Sequence, residues 1–162
     1  INYLMKHSLS FFFCFSILFC FAQRNYSTAI GIKGGYPSYG SFNIKHRLNG
    51  IQAIEGSIGG SAIGNGIIIE GLYEFNNPLK ENGLEWYYGG GVILGFIKTV
   101  EGSNWEEKNY LLSGIKSVIG IEYTFEDFPL NIAIDTGPIL VITPSFSFTW
   151  AGSLSIRYCI FN

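Results

Sequence analysis

From about residue 27 to the end, the chain repeats one pattern. Apolar and polar side chains alternate every second position, and short turn-forming clusters interrupt them. The final segment shows it plainly: Leu154, Ile156, Tyr158 and Ile160 alternate with Ser153, Ser155 and Arg157. A two-residue period is the signature of a β-strand with two unlike faces, and it is incompatible with an amphipathic helix. Turn signals cut the alternation into eight segments, over roughly 27–36, 39–48, 52–60, 66–76, 84–97, 112–125, 130–141 and 149–161. Between them lie Pro37-Ser38, Asn49-Gly50, Gly64-Asn65, Asn76-Asn77-Pro78, a long stretch from Thr99 to Tyr110, Glu126 to Pro129, and Thr143-Pro144. Nothing in the sequence marks a second domain.

Two rows follow from the alternation. Phe42, Ile44 and Leu48 oppose Ser41, Asn43, Lys45 and Arg47. Ile67, Ile69, Tyr73 and Phe75 oppose Glu70 and Glu74, and Ile115, Ile119, Ile121 and Tyr123 oppose Lys116, Glu122 and Thr124. The stretch LEWYYGGGVILGF, Leu84 to Phe96, contains a G-x-G-x-x-x-G spacing at Gly89, Gly91 and Gly95, close to a dinucleotide-binding loop. Such a loop must open a helix after a buried strand. Here the glycines fall inside a strand, on the row of Glu85 and Tyr87, where small residues save interior space.

Which row faces inward is decided by composition and by the N-terminus. Charged residues make up 14% of the 162 positions, against about 25% in ordinary soluble domains. The net charge of −2 gives no basis for binding nucleic acid. Residues 6–23 carry a short basic start, an apolar core from Leu9 to Phe21, and Ala22 before the expected cut, which is the layout of an export signal. We expect a signal peptide over 1–23, with 1–4 as upstream read-through before Met5, and a barrel domain over 24–162. Cleavage would leave Cys159 as the one cysteine and His46 as the one histidine, which removes the material for disulfides and metal clusters.

An exported, charge-poor chain of eight alternating segments predicts an all-β fold: an eight-stranded antiparallel up-and-down transmembrane β-barrel. Its apolar row would face lipid and its polar row the lumen. The inward charges would be Lys33, Lys45, Arg47, Lys116 and Arg157 against Glu55, Glu70, Glu74, Glu85, Glu122 and Asp135. An odd-length turn around Asn49-Gly50-Ile51 keeps the rows in phase, with Lys45 opposite Glu55 and Phe42 opposite Ile58. On that register Lys45 and Glu55 are expected to pair. Aromatics near segment ends, Tyr26, Tyr36, Tyr39, Tyr73, Phe75, Trp86, Tyr88, Tyr123, Phe125, Trp150, Tyr158 and Phe161, would form interface girdles.

The chain resembles the small eight-stranded outer-membrane barrels of Gram-negative bacteria, of the OmpX and OmpA barrel-domain type. The resemblance rests on Gly31-Ile32-Lys33-Gly34-Gly35, Gly71 to Pro78, Leu84 to Gly91, Gly120 to Asn131, and Leu154 to Tyr158. It implies an outer-membrane location and a closed barrel, with outer-membrane lipid and the outer-membrane assembly machinery as partners. It implies no defined activity. The chain departs from the pattern in ending on Asn162 after Phe161, out of phase with the apolar row, and in its short segment from Thr143 to Phe148.

The expected function is therefore a non-enzymatic, monomeric barrel with a packed polar lumen, no cofactor and no metal. It would act structurally or through its extracellular loops, where Trp105 among Glu101, Glu106, Glu107 and Lys108 is the candidate contact. Three other readings stay open. A narrow pore or transporter would need an unfilled lumen. A soluble exported lipocalin-like carrier would need the polar row outside. A membrane-embedded lipid hydrolase or acyltransferase would need a nucleophile beside His46, which falls on the apolar row.

Overall fold

The computed structural model describes residues 26–101 and 106–161. The expected signal peptide and Trp105 lie outside the described residues. Eight strands follow in order: β1 (Thr28–Tyr36), β2 (Ser38–Arg47), β3 (Gln52–Ser61), β4 (Asn65–Pro78), β5 (Leu84–Glu101), β6 (Glu106–Thr124), β7 (Leu130–Thr143) and β8 (Ser147–Ile160). Each pairs antiparallel with its neighbours in sequence, and β1 pairs with β8, so the sheet closes into an up-and-down barrel. Closure removes both sheet edges, which is how an antiparallel sheet satisfies all its backbone groups.

The odd turn is present. Leu48 N–H donates to the Gln52 carbonyl and Gln52 N–H to that of Asn49. Gly50 takes the left-handed conformation (φ 55°) that the turn requires. Lys45 lies opposite Glu55 and Phe42 opposite Ile58, as the two rows demand. The β7–β8 ladder runs unbroken from Leu130↔Tyr158 to Val141↔Ser147, so the short segment before Trp150 is strand almost to the turn.

The two rows separate cleanly. Ile32, Phe42, Ile58, Leu94, Ile119 and Ile156 are exposed on the outside of the barrel, whereas Lys45, Lys116, Glu122 and Arg157 are buried within it. This is the reverse of a soluble barrel, and the polar-outside arrangement required for a lipocalin-like carrier is not found.

Three expectations are corrected. The long loop from Thr99 to Tyr110 is mostly strand. β5 and β6 remain paired through Thr99↔Lys108, Val100↔Glu107 and Glu101↔Glu106, beyond the last partners of β4 (Asn65↔Lys98) and β7 (Ser113↔Thr143). A hairpin that outruns its neighbours has left the barrel wall and no longer separates an outside from an interior, so its sequence need not keep the alternation that marks a strand.

The interior row is also not uniformly polar. Ile68, Ile93, Ile97, Leu112, Ile139, Val141 and Ala151 form a buried apolar cluster inside the barrel. They belong to runs such as Ile67-Ile68-Ile69, Val92-Ile93-Leu94 and Leu140-Val141-Ile142, where both faces of the strand are apolar because one meets the outside and the other a packed interior.

Finally, Tyr26 and Phe161 are not girdle residues. Tyr26 is buried with Ala29 and Cys159, and Phe161 packs against that group. Phe161 directly follows the last strand residue and is in phase with the inward Arg157 and Cys159, so it packs on the inner side instead of joining the outward row.

The glycines of the opening G-x-G lie well inside β5, which continues to Glu101 without a helix. The sheet coils so tightly here that a Cβ on Gly91 would come 1.9 Å from the Gly71 carbonyl oxygen, and one on Gly89 2.2 Å from that of Tyr73. A Cβ on Gly71, in the same ladder, would meet nothing within 4 Å. We therefore expect Gly91→Ala to destabilise the refolded protein by about 1–3 kcal/mol, the usual cost of overpacking. Gly71→Ala should be close to neutral in the same urea titration. Equal midpoints for the two variants would show that the ladder does not need the glycine.

Candidate functional site: the charged interior

All eleven inward charges predicted from the sequence make ion pairs inside the barrel. The pairs organise around two carboxylates. Glu122, on β6, takes Lys45 Nζ at 2.8 Å and Arg47 Nη2 at 2.8 Å, with Arg157 Nη1 farther off at 3.7 Å. It also accepts a hydrogen bond from the Tyr26 hydroxyl at 3.0 Å. Glu55, on β3, takes Lys33 Nζ at 2.7 Å and Arg157 Nη2 at 2.5 Å. Arg157 joins the two centres and extends to the side-chain oxygens of Asn43 and Asn131.

Around these centres the remaining groups close the network. Arg47 also pairs with Glu85, and its guanidinium lies over the Tyr26 ring. Lys45 donates to Asn76 Oδ1 at 2.7 Å and lies over the Tyr87 ring, 4.2 Å from its centroid. Asp135 takes Lys33 at 3.0 Å, the Tyr87 hydroxyl at 3.1 Å and the Ser153 hydroxyl at 2.6 Å. Lys116 and Glu70 form a separate pair, 3.0 Å apart, with Ser57 donating to the same carboxylate at 3.4 Å. Glu74 is the least supported member. Lys45 is 2.8 Å from Glu74 Oε2 but poorly aligned with it.

The expected Lys45–Glu55 ion pair is not formed. The two are ladder partners, yet Lys45 turns to Glu74 and Glu122, and Glu55 to Lys33 and Arg157. Register fixes which backbones are adjacent. In a narrow closed interior, long side chains reach across the lumen to a better partner instead. Sequence reasoning also missed the neutral members of the network: Tyr26, Asn76, Tyr87, Asn131 and Ser153. A buried charge needs more hydrogen bonds than its ion pair supplies, and uncharged groups on the inward row provide them. For Asn76, Tyr87, Asn131 and Ser153, the positions in phase with Glu74, Glu85, Asp135 and Arg157 were the available signal.

His46 lies on the outward face, where its Nδ1 is 2.8 Å from the Thr28 hydroxyl. Among the described residues this is the one feature resembling a nucleophile beside a base, and it stands apart from the charged interior.

No protein-family model matches the chain, and no curated protein matches it either. Among solved structures it is similar to the N-terminal β-barrel domain of Pseudomonas aeruginosa OprF. The identity is 12%, over 81% of this chain and 93% of that one, with a TM-score of 0.62. At that identity the similarity concerns the fold, and the shared fold is the closed eight-stranded barrel.

The network makes two stability measurements informative. Glu55→Ala removes the nearest carboxylate from both Lys33 and Arg157, leaving Lys33 to Asp135 and Arg157 to the more distant Glu122, and should cost about 3–5 kcal/mol, as expected when one partner of a buried ion pair is removed. Lys116→Met should likewise be costly alone, whereas Lys116→Met/Glu70→Leu should recover most of the loss in urea titrations of vesicle-refolded protein. A double variant no better than Lys116→Met would mean that the pair is not desolvated.

Proposed function

We propose that the chain is an integral outer-membrane barrel whose closed interior passes no solute and whose role is structural or surface-interacting. One observation carries this reading: the barrel is inside out. Phe42, Leu94 and Ile119 are 54%, 42% and 53% exposed, while Lys45 and Arg157 are 0% exposed. Water would penalise such an outer surface and hydrocarbon would not. An eight-stranded barrel has an interior that side chains can fill. Here the ion pairs fill one part of it and the cluster around Ile93 another. A continuous water path would have to cross that apolar layer, so the pore reading is not preferred.

Outer-membrane lipid is the proposed surrounding medium, and the assembly machinery is the proposed route of insertion. Surface interactions would fall to the end of the barrel from which the β5–β6 hairpin projects, and Trp105 is the residue to test there. The Thr28–His46 contact does not by itself favour an enzyme, since a hydroxyl and an imidazole on an apolar wall lack the third group that orients a base.

Two measurements test the reading. Leu94→Arg or Ile119→Arg should each destabilise the vesicle-folded barrel by about 2–4 kcal/mol, the cost of a cation on the lipid face near the midplane. Wild-type stability in both variants would reverse the assigned faces. In planar bilayers the pure protein should give no steady conductance, and a reproducible single-channel step would replace the closed barrel with a pore.

A further inference from the structure

The outer wall is not evenly convex. A groove with a volume of about 750 Å3 opens on it, across β5, β6, β7, β8 and β1. Its length follows a single hydrogen-bonded row, Trp86↔Ile121↔Ile134↔Leu154↔Gly34. Thr136 and Gly152, paired with each other in the next row, also line it. We propose that this groove is a binding site for one acyl chain of a surrounding membrane lipid. The proposal rests on the reading that the outer face meets a bilayer.

The dimensions favour that occupant. Four strand-to-strand steps make the row about 19 Å long. It climbs the wall, because Trp86 stands near the start of β5, at the end where the termini lie, and Gly34 near the opposite end of β1. One leaflet of a bilayer core is about 15 Å thick, so an oblique groove of this length matches a chain crossing one leaflet. Spread over that length, the volume leaves a cross-section of about 40 Å2. That is too narrow for a helix about 10–12 Å across. A second barrel whose two-fold axis passed through the groove would set the same concavity against it, and two hollows do not fill each other.

The chemistry points the same way. The row is walled by indole, isoleucine and leucine side chains. The Asp135 carboxylate beneath it turns inward to Lys33, Tyr87 and Ser153. Trp150 completes the argument. An interfacial tryptophan keeps its N–H for water or headgroups. Trp150 instead donates to the Thr136 hydroxyl at 2.7 Å, and Thr136 donates in turn to the Ala151 carbonyl at 2.8 Å. The polar side chains of Asp135, Thr136 and Ser153 at the groove are thus engaged within the protein, and the surface they leave for a ligand is mainly apolar.

Gly152 allows a direct test, since a Cβ there would meet only ordinary contacts, the nearest at 3.8 Å. Gly152→Leu fills the groove, Thr136→Leu fills it from the adjacent strand, and Gly71→Leu adds the same bulk outside it. Each protein is refolded into palmitoyl-oleoyl-phosphatidylglycerol vesicles, checked for β-structure by circular dichroism, extracted into mild detergent, and weighed by native mass spectrometry. Wild type and Gly71→Leu should retain one phospholipid per barrel, and whichever groove variants fold should retain at least tenfold less. Folded wild type without bound lipid, or equal retention by the groove variants, overturns the site. Loss of a barrel dimer rather than of lipid in those variants assigns the groove to a second copy instead. A wild type that stays folded and dispersed in plain buffer would refute the lipid-facing reading itself, a result distinct from the other three.

Discussion

The structure depends on closure of a narrow sheet whose side chains have a period of two. Once β1 pairs with β8, every strand has one row outside and one row in a space that holds little but side chains. Charges on the inward row lose their hydration and must recover it from each other. That requirement ties strands far apart in sequence. Glu122 on β6 gathers Tyr26 from before β1, Lys45 and Arg47 from β2, and Arg157 from β8. The ion pairs add little net stability on their own account, because desolvation offsets most of their attraction. They make mispaired registers costly instead, since a one-residue slip would send each charge to the outside and leave its partner alone.

The interior divides along its length. β4 to β8 supply the apolar cluster, from Ile68 on β4 to Ala151 on β8, and β1 to β3 supply none of it. The difference follows strand length. β1, β2 and β3 are 9 or 10 residues long and turn back early, while β4 to β8 have 14 or more. Where the short strands end, the inward residues are Ser38, Ser41 and Ser61, all buried. The longer strands continue past the charges and pack aliphatic side chains above them. An apolar layer over a charged one lowers the local dielectric, strengthens each pair below it, and raises the cost of any charge left single.

Much of this was legible in the sequence, and the rest was hidden for identifiable reasons. Alternation and turn chemistry gave eight strands, their order, and the rows. The odd turn at Asn49-Gly50-Ile51 gave the β2–β3 register, including Lys45↔Glu55. The same register gave the wrong ion pair, because adjacency along a ladder says nothing about reach across a lumen. The interior apolar cluster was hidden inside runs such as Ile67-Ile68-Ile69, where a second apolar face removes the contrast on which the row assignment relies. Tyr26 lies before the first strand, so no period could assign it a side, and it is buried against Cys159 and hydrogen-bonded to Glu122.

The stretch around Gly89 to Gly91 shows how the fold decides what a motif means. In a nucleotide loop, glycine is needed so that the backbone can turn and approach a phosphate ahead of a helix. Here none of the three glycines has positive φ, the strand runs on through them, and the close approach is to the neighbouring strand. Gly91 lies opposite Leu72 on one side and Lys116 on the other, in a row whose inward members include Tyr87 and Ile93. Alternating large and absent side chains along one inward row lets Tyr87 extend across the lumen to Asp135 and beneath Lys45 without overfilling it. The same spacing that suggests a ligand loop in an α/β protein thus supplies, in a closed barrel, the volume and curvature that the charged interior requires.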